Sequence, residues 1–448
     1  MEHTLIKDAN IINEGKIFLS DVLIGNQRIE KIAKNIPHQP GWAIINAGGN
    51  YLIPGMIDAH VHFREPGMTS KGTIYSESRA AIAGGVTSFM DMPNTSPNTT
   101  TTELLEQKYG LASQSSFANY SFYMGVNSQN LEDVLTIDTE NVCGLTDDGL
   151  YFDNKDSMLC NQPEYLEKLF SRANTLIALH CEDEKIITKN EKAYLSRYGE
   201  RIRPEQHALI RSEEACVIAT ERVIELARKT KSRLHLLHIS TGKEAELLEA
   251  SLNLQYKKIT GEACVHHLYF SAKDYALKGN AIKWNPSIKT EADRIGLLNC
   301  LKSNKLDSIA TDHAPHLFSE KSEAYFLCKS GAPSVQHALP ALFELSRRQE
   351  ISLEEIVRKT SHAPAELFNV IDRGYIREGY YADLVLIDPD GKFETPEQLY
   401  YKTNWSPFAG ENLRAKIKMT MVNGKIAFNS GHFTGVQNGL RLKFKKER

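Results

Sequence analysis

Short apolar runs separated by turn residues fill residues 1–52. Leu5-Ile6, Ile11-Ile12 ahead of Asn13-Glu14-Gly15, and Val22-Leu23-Ile24 ahead of Gly25-Asn26 read as small antiparallel strands. The same texture returns near the far end, in Ala382–Ile387, Ala415–Val422 and Lys425–Phe428, with Asn423-Gly424 as a strong hairpin turn. Neither end has enough strands to close a core alone. Residues 1–52 and 375–448 are therefore expected to form one small β-sandwich, with residues 53–374 inserted between its halves.

The middle segment alternates between two periods. Strands are expected at Ile53–His60, Val86–Met92, Tyr120–Val126, Val142–Thr146, Leu176–His180, Arg233–His238, Ile259–Cys264 and Leu306–Ala310. Helical patterns lie between most of them. The clearest is Glu213–Lys229, with Ala215, Ile218, Ala219, Val223, Leu226 and Ala227 at three-to-four spacing. Glu103–Ala112, Gly242–Leu252 and Thr290–Leu301 are others, and helices continue through Val335–Arg347, Leu353–Lys359 and Ala363–Phe368. Eight strands alternating with helices predict an α/β fold, a (β/α)8 TIM-like barrel. An open doubly wound sheet is the alternative, but no Gly-rich dinucleotide turn follows the first strand.

Composition narrows the classes. The 448 residues can bury a large core, and 53 basic against 56 acidic residues leave no nucleic-acid stripe. The Lys/Arg-rich end from Lys443 to Arg448 reads as a solvated tail. Seven cysteines without paired spacing fit buried thiols in a reducing compartment better than disulfides. No signal pattern opens the chain and no apolar run approaches the roughly 20 residues of a membrane span, so a cytoplasmic protein that binds no membrane is expected.

Chemistry collects where the expected strands end. Asp58, His60 and His62 alternate within IPGMIDAHVHFREPG (53–67), and alternation puts His60 and His62 on one face with Arg64 just beyond. Strand four ends in Asp147-Asp148, strand five in His180, strand six in His238, and strand eight in Asp312-His313. A lone strand-end histidine is more often packing than ligand. Five strands ending in His or Asp are not explained by packing, because burying so many polar groups together is costly without a compensating cation. In a barrel all these ends meet on the catalytic face. His60, His62, His180 and His238 offer nitrogens, and Asp148 and Asp312 carboxylates. Six exceed the three protein ligands of one catalytic zinc. They suffice for two metals about 3.5–4 Å apart with one bridging carboxylate. Nitrogen and oxygen donors without thiolate suit zinc, with manganese or cobalt as alternatives, and Cys181 should face away from the site. Asp148 and Asp147 compete for the bridging position; alternation turns them opposite ways. Arg64 offers a planar fork for a carboxylate, the alternative being a surface ion pair with Glu65. His207, His337, His266 and His267 read as structural or supporting groups, and Met90 and Met92 as core.

The chain resembles the dihydroorotase family of cyclic amidohydrolases. The matching motifs are DAHVHFREPG (58–67), MPNT (92–95), TDDG (146–149), HCED (180–183), HIST (238–241), EACVHHL (262–268), WNP within KWNPSIK (283–289) and ATDHAPH (310–316), in family order across nearly the whole barrel. The resemblance implies two zinc ions per subunit, one held by His60, His62 and Asp312 and the other by His180 and His238. Asp148 would bridge them, where many relatives use a carbamylated lysine; the nearest lysine, Lys155, is several residues on. It implies that Asp312 is the catalytic acid/base, that Arg64, Asn94 and His316 bind the substrate carboxylate, and that Asn285 contacts the ring. The implied reaction is the reversible hydrolysis of dihydroorotate to N-carbamoyl-L-aspartate in pyrimidine biosynthesis, with a homodimer as the common assembly. The alternatives are a hydantoinase- or allantoinase-type cyclic amidase and a noncatalytic partner of a transcarbamoylase. Two segments depart from the family. Asn285-Pro286-Ser287-Ile288-Lys289 stands where NPPLR is usual, and Ala332–Leu339 replaces a glycine-rich specificity loop expected to offer backbone donors.

Overall fold

The computed structural model describes residues 3–150, 158–392, 398–435 and 437–446. Lys155 lies outside them. The two ends of the chain share one nine-stranded sheet. The strands His3–Asn13, Lys16–Gly25, Arg28–Ala33, Ala43–Asn46 and Tyr51–Pro54 join Leu384–Lys392, Arg414–Val422, Lys425–Asn429 and His432–Phe433. The halves meet where Tyr51–Pro54 pairs antiparallel with Leu384–Lys392, Ile53 opposite Val385. Their inward side chains form a separate apolar core that includes Ile6, Ile11, Val22, Leu52, Leu384 and Met421.

Eight parallel strands form the barrel. They are Met56–Val61, Val86–Asp91, Asn119–Phe122 continuing as Met124–Gly125, Leu145–Thr146, Ile177–Leu179, Leu234–Leu236, Ile259–Cys264 and Ser308–Ala310. The ring closes between the first and the last. Val61 and His313 form a parallel bridge, and the His62 N–H donates to the His313 carbonyl at 2.7 Å. Asp58 strengthens this seam by accepting from the Thr311 N–H and hydroxyl at 3.1 and 2.6 Å.

The single strand expected at Ile53–His60 is in fact two. Tyr51–Pro54 belongs to the terminal sheet and Met56–Val61 to the barrel. Gly55 makes the turn between them, its N–H bonded to the Asp383 carbonyl. A Cβ there would lie 2.1 Å from the Thr87 hydroxyl oxygen, so only glycine fits. The chain end also differs from expectation. Leu442 and Phe444 are buried while Lys443 and Lys445 are exposed, because the segment runs extended along the barrel floor, pairing with Asn369 and Ile371. Alternation hides the apolar residues and leaves the lysines in water. No helix among the described residues is long and apolar enough to cross a membrane.

Candidate metal centre and substrate cleft

His60, His62, Asp148, His180, His238 and Asp312 come together at the C-terminal mouth of the barrel, all buried. Asp148 stands at the middle. Its Oδ2 lies 3.3 Å from Nε2 of both His60 and His62. Its Oδ1 lies 3.6 Å from His180 Nδ1 and from His238 Nε2. Asp312 Oδ1 is 3.5 Å from His60 Nε2 and 3.2 Å from His62 Nε2. One carboxylate thus faces two pairs of imidazoles, one pair on each oxygen. Asp147 points away, accepting from the His180 and Leu159 N–H groups at 3.2 and 2.7 Å.

Breaks in strand periodicity aim these side chains. A register shift between Asp58 and Val61 inserts a residue into the first strand. His60 turns into the centre while Asp58 goes to the seam. Just past the sixth strand Leu237 already packs in the inner cluster, so plain alternation would send His238 outward. Its φ of 34° swings the ring in, and Asp312 and Arg64 have φ of 44° and 70°. Left-handed backbone at such residues costs on the order of 1–3 kcal/mol each and collects at functional sites. Gly149, the last residue of TDDG, has φ 75° and no room for a Cβ, which would stand 2.3 Å from Asn94 Nδ2.

The outer nitrogens of three of these histidines are already committed. His60 Nδ1 lies 2.6 Å from Glu262 Oε1, His62 Nδ1 2.7 Å from Asn94 Oδ1, and His180 Nε2 2.8 Å from Glu182 Oε2. Each partner offers an acceptor, so each ring carries its proton outside and turns a lone pair inward. His180 Nδ1 then faces His238 Nε2 at 2.9 Å, and the lone pairs of His60 and His62 face carboxylates. The imidazole–carboxylate contacts repel unless a cation lies among them. The donor set therefore fits divalent metal. Charge follows the same logic. Burial opposes the Asp148 carboxylate, yet the four imidazoles hold its pKa well below the usual range. Burial likewise opposes the His60 cation, but Glu262 and Asp312 raise its pKa well above the ordinary value. Burial pushes the Asp147 carboxyl up to about 7.

Glu262 and Glu182 had no role in the sequence reading. Their signals were present: Glu262 is a carboxylate inside a buried strand, also 3.3 Å from His235 Nε2, and Glu182 is two residues beyond His180. Cys264 was also not anticipated near the cluster; its sulfur lies within 4.8 Å of ligand atoms of His60 and Glu262. Cys181 is buried and sits by the Leu179 carbonyl. His266 stacks on Trp284 at 4.1 Å, His267 Nε2 meets the Pro286 carbonyl, His207 the Tyr325 hydroxyl, and His337 the Tyr401 hydroxyl.

A narrow cleft opens over the cluster, with Arg64, Asn94, Trp284, Asn285, Ser330 and Gly331 on its walls. Arg64 is buried, and its Nε donates to the Pro315 carbonyl at 3.1 Å. Glu65 instead accepts from the Ile74 N–H. His316 Nε2 stands 3.2 Å from Arg64 Nη2. Asn285 Oδ1 is buried without a hydrogen-bond partner in the protein. Lys289 turns away and donates to Ser287 and Ser240. In the second altered segment, Ser334 and Val335 direct their N–H groups to His313 Nδ1.

A (β/α)8 barrel with a buried imidazole–carboxylate cluster at its mouth is the architecture of a metal-dependent hydrolase site. The chain belongs to the amidohydrolase family, whose pattern matches residues 51–427. It is 33% identical to the dihydroorotase of Methanosphaera stadtmanae over 431 residues, 95% of this chain and 96% of that one. It is 29% identical to the allantoinase of Bacillus velezensis over 442 residues, 95% and 94% of the two chains. Its fold matches the L-hydantoinase of Arthrobacter aurescens with a TM-score of 0.89 at 23% identity, covering 99% of this chain and 100% of that one. The protein is a hydrolase acting on cyclic amides, in a family that is generally metal-dependent.

Proposed function

We propose that the protein is a dihydroorotase that opens dihydroorotate to N-carbamoyl-L-aspartate and closes it again, with two zinc ions per subunit. The observation that carries this reading is the buried Arg64 guanidinium beside His316 and Asn94, at the edge of the imidazole–carboxylate cluster. Burying a guanidinium is costly without an anion to receive it. Dihydroorotate brings a carboxylate to that place; hydantoin and allantoin do not.

His60, His62 and Asp312 would hold one ion, His180 and His238 the other, and Asp148 both. The bound pair supplies an activated water and Lewis acidity toward the ring carbonyl. Asp312 takes the proton that attack releases and returns it to the departing ring nitrogen, which needs one carboxylate within reach of both positions. Arg64 fixes the substrate carboxylate through its fork, with donors from Asn94 and His316. Asn285 Oδ1 accepts from a ring N–H. In the reverse direction the same proton transfers close the ring.

Zinc-loaded protein offered dihydroorotate, hydantoin and allantoin in parallel tests the reading. It predicts ring opening of dihydroorotate at the highest kcat/KM, and condensation of carbamoyl-aspartate. Preference for either uncharged ring would overturn the dihydroorotase assignment.

A further inference from the structure

His316 sits between two cations. Arg64 Nη2 is 3.2 Å from its Nε2, and Lys71 Nζ is 3.1 Å from its Nδ1. Guanidinium and ammonium groups only donate, while a neutral imidazole accepts at one nitrogen and bears a proton on the other. Burial, with Arg64 beside it, keeps this ring neutral, its pKa well below the ordinary histidine value. One of the two contacts must therefore set a ring proton against a cation.

Glu320 decides which. Its carboxylate is 2.8 Å from Lys71 Nζ but 3.5 Å from His316 Nδ1, and it also accepts from the Leu317 N–H. It holds the ammonium in place, and Lys71 Nζ at 3.1 Å is the nearer partner of Nδ1. Nδ1 accordingly accepts from Lys71. The ring proton falls on Nε2, facing Arg64, which lines the cleft. A ring N–H and a guanidinium then converge on one spot, an arrangement that an anionic oxygen relieves. Lys71 follows Arg64 on the same loop, whose turn is closed by the Met68 N–H on the Arg64 carbonyl. Glu320 comes from the short helix Phe318–Lys321 beyond the eighth strand. Neither lines the cleft.

We propose that Lys71, anchored by Glu320, is a positioning residue that fixes His316 as its Nε2–H tautomer, so that His316 and Arg64 together receive a carboxylate of the substrate. The proposal rests on the dihydroorotase reading for the identity of that carboxylate. The opposite tautomer would turn a lone pair toward the anion and repel it. Lys71 thereby selects carboxylate-bearing rings without touching them.

The test is the long-range 1H–15N spectrum of the zinc-loaded enzyme labelled at histidine, with His316 identified by its loss in His316→Asn. The wild-type ring is expected as the Nε2–H tautomer. Lys71→Met should shift it toward Nδ1–H and raise KM for dihydroorotate about tenfold, as loss of one well-placed donor does, with kcat altered far less. Lys71→Arg, which keeps a donor, should retain the tautomer and most of the affinity. A wild-type Nδ1–H ring, or Lys71→Met with tautomer and KM unchanged, would overturn the proposal. If wild-type enzyme does not turn over dihydroorotate, the substrate reading fails alone, and the tautomer still decides the role of Lys71.

Discussion

The two ends of the barrel interior are built on the same eight strands and have opposite chemistry. The lower end holds Ile57, Ala59, Met90, Tyr123 and Ala178, closed beneath by Phe368, Leu442 and Phe444. The upper end holds four imidazoles and the carboxylates of Asp148, Asp312, Glu182 and Glu262. Between them His235 links Thr260 to Glu262. The lower layer is held by apolar burial, which does not depend on orientation. The upper layer is held against desolvation and backbone strain, and requires each ring to point one way. The difference predicts that damage below lowers stability and spares chemistry, while damage above does the reverse.

The largest effect should come from the upper end. Asp312→Ala is expected to lower kcat by about 10³-fold, within the usual range for removing a general acid/base. Its thermal unfolding should remain cooperative, and near-wild-type turnover would refute the role given to Asp312. At the lower end, Phe444→Ala should cost about 3–5 kcal/mol in urea unfolding, as truncation of a buried phenylalanine does. Activity per folded molecule should hold; a loss of kcat at full occupancy would erase the distinction between the layers. Arg64→Met should raise KM for dihydroorotate roughly 30-fold through loss of a charge-assisted fork, with a smaller change in kcat. Equal KM in both proteins would remove the carboxylate clamp. Glu262→Gln keeps the shape but weakens the partner of His60 Nδ1. It should loosen metal binding about 10–100-fold in a competition titration, the usual penalty for losing such support. Unaltered affinity would mean that His60 orients without it.

The sequence made the upper layer visible because chemistry there lies in residue type. His60, His62, Asp148, His180, His238 and Asp312 all stand at strand ends, as the motif spacing implies, and the geometry brings all six together. What aims them was not legible. The bulge after Asp58 and the left-handed φ at His238 are local departures from period two, and no residue type announces them. Glu262 and Glu182 escaped because supporting carboxylates follow no spacing rule. Two segments outside the barrel interior were harder still. Helix Glu184–Tyr198 buries only Ile187, so it shows no apolar stripe. Leu442 and Phe444 alternate with lysines, so their strand-like packing was masked by charge.

In the proposed enzyme the six upper-layer side chains hold a pair of divalent ions. Equilibrium titration of metal-free protein with zinc, read as ions bound per chain, tests it most directly. Two tight equivalents are predicted, both lost in Asp148→Ala. Saturation at one ion or none in the intact protein would contradict it.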